Sequence, residues 1–148
     1  MKTVAALLAL GLLTAVPAQA QSPSDFHGAE ATKSQYRVAY QLNSADDNKI
    51  KETLRNINNA LNDPRLKDKL QAELVVHGQG VAVYRKEKGY EADLAALQKR
   101  GVILAMCENT MRVMNISRDE LLPFIAYVPS GNGELIIRQQ EGWAIVHP

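Results

Sequence analysis

The chain has 148 residues, with 17 lysines and arginines against 16 aspartates and glutamates. That balance argues against a nucleic-acid partner, which requires a basic face to neutralise phosphates. A single cysteine excludes an internal disulfide, so the fold must hold by burial, and the length suits one domain with a real core.

The first twenty residues read as an export signal. Met1-Lys2 is a short basic start, residues 3–16 are almost wholly apolar, and Pro17 breaks the run. Ala18-Gln19-Ala20 then supplies the small residues that a signal peptidase reads, which predicts cleavage after Ala20. The apolar run is short of the roughly 20 residues that span a bilayer. No cysteine follows the cleavage site to carry a lipid anchor. The expectation is a periplasmic or secreted protein with no membrane attachment after cleavage. Losing Lys2 leaves basic and acidic side chains equal in number. Residues 21–35 are polar and are expected to form a flexible leader, so the α/β domain covers residues 36–148.

From Tyr36 to Leu42 the chain is β-rich and predicts a strand. Ser44 is placed to cap the next helix, with Asp46 and Asp47 in its first turn. Ile50, Leu54, Ile57 and Leu61 follow at helical spacing, and Asn62-Asp63-Pro64 stops the run. Residues 74–77 predict a second, short strand leading into Gly78-Gln79-Gly80. Residues 81–88 fit either a short helix or a loop. Tyr90, Leu94 and Leu97 mark another helix, closed by Gly101.

Residues 102–106 predict a third strand, with no charge in it, as in parallel sheets covered on both faces. Residues 108–114 predict a short helix, and Ser117 with Glu120 has capping-box spacing. Residues 124–128 predict a fourth strand. Pro129-Ser130-Gly131 then turns into a helix carrying Leu135 and Ile136, and residues 143–146 predict a fifth strand. Regular alternation of strand and helix predicts a three-layer α/β/α sandwich around a mostly parallel five-stranded sheet.

Ligands and reactive groups gather beyond the carboxyl ends of such strands. His77-Gly78-Gln79-Gly80, Cys107 and Pro129-Ser130-Gly131-Asn132-Gly133 all fall on that edge. Cys107 is the sharpest candidate, because a helix start behind it favours the thiolate, the form that attacks sulfur. The competing reading is an inert buried cysteine packed as a small hydrophobe, and Glu108 next door opposes thiolate formation. His77 either hydrogen-bonds and activates the thiol, should its strand lie beside that of Cys107, or holds the following turn.

Neither glycine-rich segment is a dinucleotide or phosphate fingerprint, and both read as tight turns needing positive φ. His77 and Cys107 are two ligands, short of the usual three or four for zinc, so no metal and no cofactor is expected. Met106, Met111 and Met114 read as core filling.

The segment Gly101-Val102-Ile103-Leu104-Ala105-Met106-Cys107, together with Ser117-Arg118-Asp119-Glu120-Leu121-Leu122-Pro123, resembles the DsrE/DsrF-like family. That family includes sulfur-relay proteins of the TusBCD type and stand-alone YchN-like proteins. Val128-Pro129-Ser130-Gly131, Glu134-Leu135, Gln140-Glu141-Gly142-Trp143 and His77-Gly78-Gln79-Gly80 look like the stand-alone members. The resemblance covers residues 36–148 and implies that Cys107 carries sulfur as a persulfide. It also implies a homo-oligomer, a trimer or hexamer, and a thiol-bearing protein as sulfur donor or acceptor. Relay members act in the cytoplasm, whereas this chain carries an export signal.

Two functions follow as expectations. One is a periplasmic sulfur carrier, at most sulfurtransferase-like in activity, with Cys107 and His77 as its site. The other is a non-catalytic oligomeric domain that binds a small ligand or a protein, with Cys107 inert. A redox or metal sensor using Cys107 and His77 is a third.

Overall fold

A computed structural model of the chain describes residues 26–148. The export signal expected over residues 1–20 and the first part of the leader lie outside the described residues. Residues 26–35 form no helix or strand. Their path is tied to the domain where the Arg65 guanidinium donates to the Ala29 carbonyl at 3.3 Å and the Lys33 N–H donates to the Tyr36 hydroxyl at 3.0 Å.

Strand β1 (Tyr36–Leu42) is followed by helix α1 (Asp47–Asn62), strand β2 (Leu70–Val76) and helix α2 (Glu91–Lys99). Strand β3 (Ile103–Cys107), helix α3 (Glu108–Met114), strand β4 (Ala126–Val128), helix α4 (Gly131–Gln140) and strand β5 (Ala144–Val146) complete the order. The expected alternation is therefore present, and every strand pair is parallel. The sheet order is β4-β3-β2-β1-β5.

Several local expectations shift. The cap of α1 is Asp46, whose carboxylate accepts from Lys49 N–H at 2.9 Å. Ser44 supports it by accepting from Asp46 N–H. Strand β2 starts four residues earlier than the apolar run, because pairing with β1 continues through Leu70 and Gln71 after apolar burial has ended. The ambiguous stretch is a 3-10 segment over Gly78–Tyr84 followed by a short one over Lys86–Lys88. Strand β4 starts at Ala126, two residues inside the expected run. Gly131-Asn132-Gly133 is no tight turn: it is the first turn of α4, with Ser130 as its cap. In Gly78-Gln79-Gly80, Gly78 has φ +53°, whereas Gly80 is needed for space, since a Cβ there would overlap the Leu42 carbonyl.

Right-handed crossovers explain where each helix lies. The chain steps one way from β1 to β4, so α1 and α2 fall on one face; the return from β4 to β5 sends α4 to the other. Side chains alternate along each strand. Val38, Tyr40, Leu42, Leu74, Val76, Leu104 and Met106 join the large apolar cluster with Ile50, Leu54, Ile57, Leu94 and Leu97. Met111 belongs to that cluster and Met114 packs against it, as expected for core filling. The α4 face buries Ala39, Val75, Leu135 and Trp143 together, with Ile145 beside them.

Candidate functional site

Strands β3 and β4 are neighbours, with Cys107 opposite Val128. Behind β3 the chain enters α3 on the α1/α2 side, where Met111 is core. Behind β4 it enters α4 on the opposite side. Adjacent strands whose exits diverge leave a crevice at their carboxyl ends, the usual ligand position in open parallel sheets. Cys107 lies buried at that junction, where the Asn109 N–H donates to the Pro129 carbonyl at 3.3 Å.

Cys107 is also the cap of α3. Its sulfur accepts from Thr110 N–H at 3.4 Å. The Thr110 hydroxyl oxygen accepts from Gly78 N–H at 2.9 Å, which leaves its own proton for the sulfur. Burial pushes the Cys107 thiol up, and hydrogen bonds outweigh it. The Thr110 hydroxyl and the N–H groups of Gly131, Thr110 and Asn109 all favour the thiolate, so the thiol lies below its ordinary value. Two helix starts therefore aim at one sulfur. Only 4% of Cys107 is exposed.

Gly131 can come this close to the sulfur because it has no side chain. A Cβ there would stand 3.0 Å from His77 Cβ and 3.4 Å from Cys107 Cβ. The close approach, and not a positive φ, is what glycine provides at this position.

His77 follows β2, and β2 pairs with β3, so the expected neighbourhood of His77 and Cys107 is present. Its hydrogen bond goes elsewhere: His77 Nε2 lies 2.8 Å from Gln41 Nε2 on β1. Burial, followed by the nearby His147, holds its pKa below the ordinary imidazole value. His77 is thus packed beside the cysteine across Gly131, as a neutral ring. The Glu108 carboxylate is paired with Arg118 at 2.5 Å.

Among the described residues, no group of three His, Cys, Asp or Glu side chains is placed to hold a metal ion. Nor is any helix there long and apolar enough to cross a membrane.

The sequence reading missed Thr110, Gln41 and the role of Gly131. Thr110 had a usable signal, since it stands three residues after Cys107, the spacing of a cap to its N–H partner. Gln41 had none, because its partner lies 36 residues away.

The comparisons agree with this architecture. The family model for the DsrE/DsrF-like family matches residues 24–148. The structure of MTH1491 from Methanobacterium thermoautotrophicum, a protein of unknown function, is similar with a TM-score of 0.72 and 32% identity. That match covers 77% of this chain and 100% of the other. No functionally curated protein matches the chain. On these grounds the chain belongs to the DsrE/DsrF-like family.

Proposed function

We propose that the protein is an exported sulfur carrier that holds sulfane sulfur as a persulfide on Cys107. The observation that carries this reading is Cys107 as the cap of α3, its sulfur accepting from Thr110 N–H at 3.4 Å with Gly131 of α4 packed against it, an arrangement that favours the thiolate. The Cys107 thiolate attacks the outer sulfur of a donor persulfide, R–S–SH. The donor S–S bond breaks, the donor leaves as R–S⁻, and Cys107 becomes Cys–S–SH. Delivery repeats the exchange with an acceptor thiolate, so no external oxidant is consumed. His77, neutral and adjacent, tunes the pocket around the sulfur.

Intact mass is the test. The protein incubated with a low-molecular-weight persulfide gains one sulfur atom, and Cys107→Ser does not. A wild-type mass that never moves across a range of donors sinks the reading. Export is checked by amino-terminal sequencing of the periplasmic fraction, with Gln21 expected first.

The same reading includes self-association. Ile136 and Ile137 on α4 are 64% and 55% exposed, and they support an apolar contact between copies. Sedimentation should give a trimer or hexamer, and Ile136→Lys should shift it towards monomer.

The burial of Cys107 favours one alternative, a non-catalytic binding domain with an inert thiol. That alternative requires slow alkylation of the folded protein and ligand-dependent melting that survives Cys107→Ser.

A further inference from the structure

Glu73 lies on β2 at 1% exposure, on the thinly covered α4 face. Its Oε2 accepts from Arg138 Nε at 2.6 Å. Its Oε1 has no hydrogen-bond partner. Arg138 also reaches Glu134 at 2.8 Å and Glu141 at 3.5 Å, and its guanidinium stacks 4.4 Å from the Trp143 ring centre. An ion pair buried this deeply is a poor source of stability, because desolvation offsets the attraction. Its best-attested use is to set register between elements.

The register in question is that of α4 along β2. Gly131, at the start of α4, packs over His77 and Cys107. Arg138, two turns later, sits over Glu73, four residues before His77. Seven helical residues advance about 10 Å and four strand residues about 13 Å, so α4 lies along β2, running opposite to it, and is held at both ends. At one end the approach is tight, a Cβ on Gly131 standing 3.0 Å from His77 Cβ; at the other a guanidinium clamps a buried carboxylate. Sliding or rotating α4 would carry its first turn, and the Gly131 N–H with it, away from the sulfur.

We infer that the Glu73–Arg138 pair is a positioning latch that seats α4 and thereby keeps the Gly131 N–H on Cys107. Glu73 and Arg138 touch no reacting atom; they act through Gly131. The titratable groups facing Glu73 are Arg138 and Glu134 from α4. Facing Cys107 are His77 and the N–H groups of Asn109, Thr110 and Gly131. The inference deepens the sulfur-carrier reading and rests on it for its purpose, but not for its test.

The direction of the effect separates a latch from simple charge. Removing a carboxylate near a thiol, by electrostatics alone, favours the thiolate. Releasing α4 disfavours it. Ultraviolet titration of the Cys107 thiolate, with Cys107→Ser as baseline, and the pH profile of its alkylation read this directly. Glu73→Gln should move the profile to higher pH and slow alkylation at neutral pH by about threefold or more, the worth of one hydrogen bond. Arg138→Met should move it the same way, but loss of the cation alone also raises a thiol pKa, so Glu73→Gln is the variant whose sign separates latch from charge. Ile57→Val, which loosens the opposite face, should lower Tm and leave the profile in place. An unmoved or lower profile in Glu73→Gln overturns the inference. Failure of the wild type to gain sulfur while the profile still shifts overturns only the sulfur-carrier reading.

Discussion

The two faces of the sheet are built for different work. On the α1/α2 face, buried side chains from three strands, three helices and the 3-10 segment interlock without a buried charge. On the α4 face one helix covers the sheet, four buried residues form the apolar contact, and the rest is polar: Glu73 with Arg138, Arg37 donating to the Glu141 carbonyl at 2.7 Å, and Gln41 beside His77. Cys107 points to this second face, next to Ala105 and opposite the leucine and methionine that face the core. The contrast teaches that burial on one side anchors the β3 backbone, which frees the other side to present a reactive group and its donors.

Mutations should separate the two faces, beginning with the largest effect. Leu74→Ala opens a cavity at a residue with 0% exposure and should lose about 2–5 kcal/mol in denaturant melts. The folded fraction should keep the wild-type thiol titration. Gly131→Ala forces a Cβ against His77 and Cys107, and overpacking of this kind loses about 1–3 kcal/mol. Unlike Leu74→Ala, it should raise the Cys107 pKa, because the Gly131 N–H is pushed from the sulfur. Equal thiol titrations in the two variants would erase the distinction between the faces.

Thr110→Val should be milder, about 1 kcal/mol for the lost partner of Gly78 N–H, again with a raised thiol pKa. The smallest effect at neutral pH belongs to Tyr90→Phe. Burial, followed by its hydrogen bond to Asp47, raises the Tyr90 pKa from 10.0 to about 12. The folded state therefore favours the neutral phenol. Its contribution is intact below pH 10 and is lost as pH climbs from 10 to about 12. The Phe variant should show a shallower decline of Tm over that alkaline window.

Much of the fold was legible because its signals are local. Ile50, Leu54 and Ile57 mark α1 by spacing, and Gly101, with φ +86°, closes the turn after α2. Residues 108–114 read correctly as a helix behind the cysteine. Errors fell where the deciding partner is remote. The ends of β2 depend on pairing with β1, and the conformation of Gly131 depends on what packs beneath α4. For the candidate site, the sequence pointed to Cys107 and His77, which the fold brings near one another, but not to Thr110, Gln41, Glu73 or Arg138.

By itself the sequence determined the order of strands and helices and put one cysteine at a strand-to-helix junction. Those follow from hydrophobic period and capping chemistry, which act over a few residues. Only the tertiary structure decided that β5 returns beside β1, which carries α4 across the opposite face and brings a second helix start to the same sulfur. The physical reason is handedness. A crossover that reverses direction along a parallel sheet must change faces, and no local run of residues records that.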